Sequence, residues 1–189
     1  MIVRPSIHTV FKRDEIRMQI DKSLDKIASV KVYLGAPWFT DRQRELVENA
    51  AQELNNNATV QVVHQPFQHQ YKGVTLANPK GIFGSREWIQ NTIQNDLTAM
   101  TTSDAAIFLY DMDKEDPGCC FEIGWMRAMN KPVILYLVHT KPSKEYEMNL
   151  MLAGVTAIYD VGNGDDLSKI KDYNFNHMPS NINFPVSVF

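Results

Sequence analysis

The stretch that decides the fold is Ala105-Ala-Ile-Phe-Leu-Tyr-Asp-Met-Asp-Lys-Glu-Asp-Pro-Gly-Cys-Cys-Phe-Glu-Ile-Gly-Trp-Met-Arg-Ala-Met-Asn-Lys-Pro-Val-Ile-Leu-Tyr-Leu-Val138. Ala105 to Tyr110 is an apolar, β-leaning run, and Pro132 to Val138 is a second. Between them lie an acidic loop from Asp111 to Asp116 and a helical stretch from about Pro117 to Asn130. Strand, loop, helix and strand in this order make a unit whose two strands lie parallel. In open parallel sheets ligands sit outside the carboxyl ends of the strands. The acidic loop falls at that place.

Glu122 is the odd residue of the unit. On helical spacing it shares a face with Trp125, Met126 and Met129. The helix is apolar on most sides, which predicts a buried crossover helix. A carboxylate on its inner face needs a partner or a chemical task. The plain alternative is a Glu that caps or ion-pairs near the positive helix end.

Working outward, the same alternation repeats. Val30 to Leu34 reads as a strand broken by Gly35 and Pro37, and Thr40 or Asp41 caps a helix over roughly 42–55. Thr59 to Val63 is the next strand. Residues 64–84 form a long connection of the kind that is usually functional. Ser85 caps a helix to about Met100, with Ile89, Ile93, Leu97 and Met100 in its apolar stripe and Asp96 beside it. Beyond Val138, a short helix is expected over 143–150, a fifth strand over 155–159 and another short helix over 165–170. The tail from Asp172 has little periodicity. Five strands alternating with helices imply an α/β fold with a doubly wound, five-stranded parallel sheet, flavodoxin- or Rossmann-like. Residues 1–28 read as an N-terminal helical extension, with Ile16, Ile20, Leu24 and Ile27 at near-helical spacing, and 29–189 as one α/β domain with a C-terminal tail.

Composition narrows the class. The 189 residues are 44% apolar and 22% charged, with a net charge of −3, as in ordinary globular domains. Without a long Lys/Arg run, a nucleic acid polymer is not the expected partner. No apolar run approaches the ~20 residues of a membrane span, and the first residues lack the apolar core of a signal peptide. Cys119 and Cys120 are adjacent, which gives neither a disulfide framework nor a CxxC spacing. A reducing cytoplasm is the expected location. The five His show no metal-ligand spacing, and no GxGxxG or Walker A motif is present.

Several segments, taken in order, resemble the nucleoside 2-deoxyribosyltransferase family. They are Val32-Tyr-Leu-Gly-Ala-Pro-Trp-Phe-Thr-Asp-Arg-Gln43, Gln70-Tyr-Lys-Gly73, Gln94-Asn-Asp-Leu97, Glu115-Asp-Pro-Gly-Cys-Cys-Phe-Glu-Ile-Gly124, Met148-Asn-Leu-Met151 and Asp172-Tyr-Asn-Phe-Asn176. Each is weak alone, and the ordered set is specific. The segment around Glu122 is most similar to the purine-type branch, whereas Gln70-Tyr-Lys-Gly73 is more similar to the branch that also accepts pyrimidines.

The resemblance implies exchange of the base on a 2'-deoxyribonucleoside, with deoxyribonucleosides and free nucleobases as partners and no cofactor or metal. Glu122 would be the nucleophile, forming a covalent deoxyribosyl-Glu intermediate with net retention. Asp116 would exchange a proton with the base; its ordinary reading is an N-cap before Pro at the first helical position. Asp96 would orient Glu122 or bind the sugar, against the plain reading of a solvated helix residue. Tyr33 would hydrogen-bond the nucleophile; otherwise it is a core aromatic. Trp38 and Phe39 would wall the base, Gln70 and Asn149 would contact base and sugar, and Met151 would be a further wall. As lone aromatics, amides and a methionine, these five are otherwise core or surface residues.

The family's sites are shared between subunits, which implies a homo-oligomer (dimer or hexamer) whose C-terminal tail completes a neighbouring site. Family members commonly end in Tyr; this chain ends in Phe189, which keeps the ring and loses the hydroxyl. Two alternatives remain from the residues: an N-glycosidase that releases base to water from a nucleoside or nucleotide, and a non-catalytic nucleoside-binding module.

Overall fold

A computed structural model describes residues 29–181 and 184–189. The expected N-terminal extension over 1–28 lies outside the described residues. The described chain runs β1 (Val30–Gly35), α1 (Asp41–Asn55), β2 (Val60–His64), two 3-10 turns (Pro66–His69 and Tyr71–Gly73), α2 (Arg86–Thr102), β3 (Ala105–Asp111), α3 (Pro117–Ala128), β4 (Val133–Val138), a 3-10 turn (Ser143–Glu145), β5 (Glu147–Met148), α4 (Leu150–Ala153), β6 (Ala157–Asp160), α5 (Lys169–Asp172) and β7 (Ser187–Val188).

Five strands form one sheet in the order β2-β1-β3-β4-β6, and every pairing within it is parallel. The strand order reverses between β1 and β3, and this switch point is where open α/β sheets place ligands. The expected doubly wound fold is therefore the observed one. The central strands β3 and β4 are buried at every position, which explains their unbroken apolar sequence: a parallel sheet is covered on both faces. One face packs on α1 through Leu46, Ala50 and Leu54. The other packs on α3 through Cys119, Ile123 and Met126, with Tyr33, Phe108 and Tyr110 from the strands.

Gly35 ends β1 because nothing larger fits: a Cβ there would lie 2.1 Å from Cε1 of Phe108, whose ring is fully buried. The strand can leave the sheet over that ring only as a bare backbone, and the loop that follows carries Trp38 and Phe39.

Three expectations are corrected. The helix over 143–150 is a 3-10 turn followed by β5, and helix appears only at Leu150–Ala153. Its place is taken by a two-stranded parallel pairing of β5 with β7, a long-range contact that no local pattern encodes. The helix over 165–170 is a single turn at Lys169–Asp172. The crossover helix α3 is buried on one side only: Phe121 and Trp125 are 57% and 36% exposed. The aperiodic tail nonetheless supplies core, with Tyr173 and Phe175 buried against the α1 face.

Candidate active site

Glu122 sits in the first turns of α3, where the preceding loop turns back over the carboxyl ends of β1 and β3. Its Oε1 accepts a hydrogen bond of 2.9 Å from the Tyr33 hydroxyl. Tyr33 is fully buried, so its phenol is held on β1 as a fixed donor. Burial of Tyr33, with Glu122 and Asp96 beside it, pushes its ionisation far above the usual phenol range, and it stays neutral and donating. Burial pushes the Glu122 carboxyl up to about 7; Asp96 and Asp116 add to that rise and the Tyr33 hydrogen bond opposes it. This carboxylate therefore stands near the midpoint of its titration at neutral pH. Glu122 is half-buried, and its side-chain partner is the Tyr33 hydroxyl.

Asp96 comes from α2, across the site. Its Oδ1 is buried without a hydrogen-bond partner, and burial pushes its carboxyl up to about 6, with His69 working the other way. An orphaned carboxylate oxygen beside a cavity is a group prepared for something outside the chain. Asp116 holds α3 by its N-terminus, accepting from Gly118 N at 3.3 Å and Cys119 N at 3.1 Å, with Pro117 as the first helical residue. The capping reading is thus correct, and the same carboxylate also faces the cavity.

The cavity has a volume of about 230 Å³ and opens to solvent. Trp38, Gln70, Asp96, Asp116 and Glu122 line it, with Leu34 at its floor. Trp38 is braced by Phe67 at 4.3 Å and by Phe39 at 5.6 Å between ring centroids. Phe67 itself lines the cavity; Phe39 is 59% exposed and supports the wall from outside. The Gln70 amide donates to the Pro66 carbonyl at 3.2 Å. The sheet thus gathers a flat aromatic wall, an amide and three carboxylates into one space.

Asn149, Met151 and Phe189 do not line this cavity. They meet one another elsewhere. Asn149 caps α4 by accepting from Met151 N at 2.9 Å, and the Phe189 carbonyl accepts from Leu150 N at 2.9 Å. Leu150, Met151 and Phe189 are 58%, 78% and 64% exposed. They form an apolar ledge closed by the end of the chain.

Residue-by-residue reading missed Phe67, Gln65 and Cys119, which also line the cavity. Phe67 lies in the long connection after β2, whose length was the only available signal. Among the described residues, no group of three or more His, Cys, Asp or Glu could hold a metal ion, and no helix is long and apolar enough to cross a membrane.

Comparison with known proteins shows the family. Residues 32–151 match the family model described as nucleoside 2-deoxyribosyltransferase. A nucleoside deoxyribosyltransferase of Limosilactobacillus fermentum is 44% identical over 170 residues, covering 89% of this chain and 99% of that protein. One from Lactobacillus leichmannii is 33% identical, covering 77% of this chain and 89% of that protein. The solved structure of a 2-deoxyribosyltransferase from Bacillus psychrosaccharolyticus superposes with a TM-score of 0.66 at 26% identity, covering 82% of this chain and 99% of the other. The match spans β1 to α4 and takes in the aromatic wall, both flanking carboxylates and Glu122, and on it the chain belongs to the nucleoside 2-deoxyribosyltransferase family, enzymes of the pentosyltransferase class.

Proposed function

We propose that this protein moves 2-deoxyribose from a purine deoxynucleoside to a second free base, through a covalent bond to Glu122. The observation that carries the reading is the pairing of Glu122 with the buried Tyr33 hydroxyl inside a cavity walled by Trp38. A carboxylate so held is aimed as well as reactive.

The steps follow from the groups present. The base lies against Trp38, with Gln70 and Asp116 at its edge. As the C1'–N bond lengthens, positive charge grows at C1' and the Glu122 carboxylate stabilises it. A Glu122 oxygen then bonds C1', the bond's electron pair departs with the base, and Asp116 delivers a proton to a purine nitrogen. A second base enters, its nitrogen attacks C1', the carboxylate is released, and the surplus proton returns to Asp116. Two inversions give retention. Asp96, facing Glu122 across the cavity, holds the sugar hydroxyls and steers the nucleophile.

The ledge of Asn149, Met151 and Phe189 serves a second copy. Its Leu150, Met151 and Phe189 side chains stand outside their own cavity and are exposed and apolar where a solvent-facing surface would be polar. The open side of the cavity needs such a cover, because water that reaches the intermediate converts transfer into hydrolysis. Sedimentation at micromolar concentration should give an even-numbered assembly; a monomer that exchanges bases efficiently would remove the shared-site reading.

The test of function is base exchange followed by chromatography. Deoxyinosine with adenine should yield deoxyadenosine and hypoxanthine, and thymidine with adenine should yield far less. Equal product from both mixtures would overturn the purine preference. Hypoxanthine without deoxyadenosine would identify a hydrolase, and no reaction in either would leave an N-glycosidase acting on a nucleotide or a binding module.

A further inference from the structure

Gln43 occupies the third position of α1 and is only 5% exposed. Its Oε1 accepts from Thr40 N at 3.1 Å, while the Thr40 hydroxyl accepts from Gln43 N at 3.2 Å. That much is a capping box. The side chain does two further things. Its Oε1 also accepts from Phe39 N at 3.0 Å, and its Nε2 donates to Oδ2 of Asp111 at 2.9 Å.

Asp111 ends β3 and is 6% exposed. Its Oδ1 accepts from Asp113 N at 3.0 Å and Lys114 N at 3.2 Å, and Arg42 Nη1 lies 3.8 Å from its Oδ2. One amide and one carboxylate thus tie two loops together. The first loop carries Trp38 and Phe39 from the end of β1, and the second leads from the end of β3 to Asp116.

The choice of Gln is informative. A Glu at this position would cap equally well and would favour the helix dipole. It would also set a second carboxylate against the buried Asp111. Unlike a Glu carboxylate, the amide offers an acceptor to the two backbone N–H groups and a donor to the carboxylate.

We propose that the Gln43–Asp111 pair is a positioning clip, which fixes the separation between the aromatic wall that receives the base and the acid that protonates it. Neither residue touches the base. This rests on the exchange reading given above, and it concerns how the site is held rather than which residues react. Because bond cleavage needs the base stacked and protonated at once, a small drift of one loop against the other costs rate, on the order of 10- to 100-fold for about 1 Å.

The test reverses the hydrogen bond. Gln43→Glu places two carboxylates face to face. Asp111→Asn places two amide donors face to face, or loses a loop contact by flipping. Each single variant should lower kcat/KM for exchange about 10- to 100-fold, with KM for the acceptor base raised. In Gln43→Glu/Asp111→Asn, the Asn amide donates to the Glu carboxylate while both still accept from their loops, and kcat/KM should return to within about threefold of wild type. Melting temperature and KM are followed together for all four proteins. Singles that melt early yet keep the wild-type KM would show a merely structural pair and overturn the clip. So would a double variant no better than the worse single. If Gln43→Glu does not fold, recovery of the double over Asp111→Asn alone decides the matter. A wild type without exchange removes the functional reading, whereas an active wild type with the wrong variant pattern removes only the clip.

Discussion

Glu122→Gln should abolish base exchange, with a loss of at least about 10⁴-fold in kcat/KM, and should make the folded protein more stable at alkaline pH. The first effect follows from the proposed mechanism, in which that oxygen bonds C1'. The second follows from burial. The Glu122 carboxyl titrates at about 7 in the folded chain, against about 4.3 when unfolded. A carboxyl raised in this way contributes stability that is complete below about pH 4 and is lost as pH rises through about 7. Glutamine keeps the shape and can still accept from Tyr33, and it does not ionise. At ~1.4 kcal/mol per pH unit between the two values, the variant should gain on the order of 3–4 kcal/mol over wild type at pH 8 and nearly nothing at pH 4. Urea midpoints at both pH values measure this. A variant equally stable or less stable at pH 8 would mean that Glu122 is not buried at cost. The same titration appears in the rate: kcat/KM rises with pH as Glu122 ionises, and Tyr33→Phe, by removing a hydrogen bond that favours the carboxylate, moves that rise to higher pH. A shift to lower pH would contradict the Tyr33–Glu122 contact.

Which parts of the molecule were legible from residues alone follows from where burial and charge conflict. The sheet was legible because β3 and β4 are apolar at nearly every position, and a parallel sheet covered on both faces demands this. Glu122 was legible for the opposite reason, as a charge on a face that should carry none. Asp116 was legible twice over, and the geometry shows that its capping and cavity-lining roles share one carboxylate. The clip was not legible. Gln43 and Asp111 are 68 residues apart, and each alone reads as an ordinary polar residue at an element end. Phe67 lies in a 3-10 turn with no periodicity to mark it. The ledge was hidden because β5 and β7 are two residues each and pair across the end of the chain. Patterns of period two and 3.6 report burial within an element; they do not report which distant loops a side chain joins.

Asp116→Asn should slow release of an ordinary purine on the order of 10²- to 10³-fold while the melting temperature changes little. Asn caps a helix about as well as Asp, so the α3 N-terminus keeps its side-chain acceptor, and what disappears is the transferable proton. Asp116→Ala loses both roles and should also cost about 1 kcal/mol of stability. The decisive comparison uses two donors. A deoxynucleoside whose purine is methylated at N7 carries a positive charge and leaves as a neutral base without further protonation. Deoxyribosyl transfer to Glu122 from that donor should proceed in Asp116→Asn within a few-fold of wild type, while deoxyinosine remains slow. If both donors slow equally at unchanged melting temperature, Asp116 acts by holding the base and not by protonating it. If both slow and the protein melts early, its contribution is the cap alone. The N-cap position makes the acid role demanding, because each oxygen is already engaged, Oδ1 by Gly118 N and Oδ2 by Cys119 N. A carboxylate oxygen has a second lone pair beyond the one the helix uses. As general acid Asp116 therefore has to carry its proton on that remaining lone pair, where a basic nitrogen of the arriving base can take it.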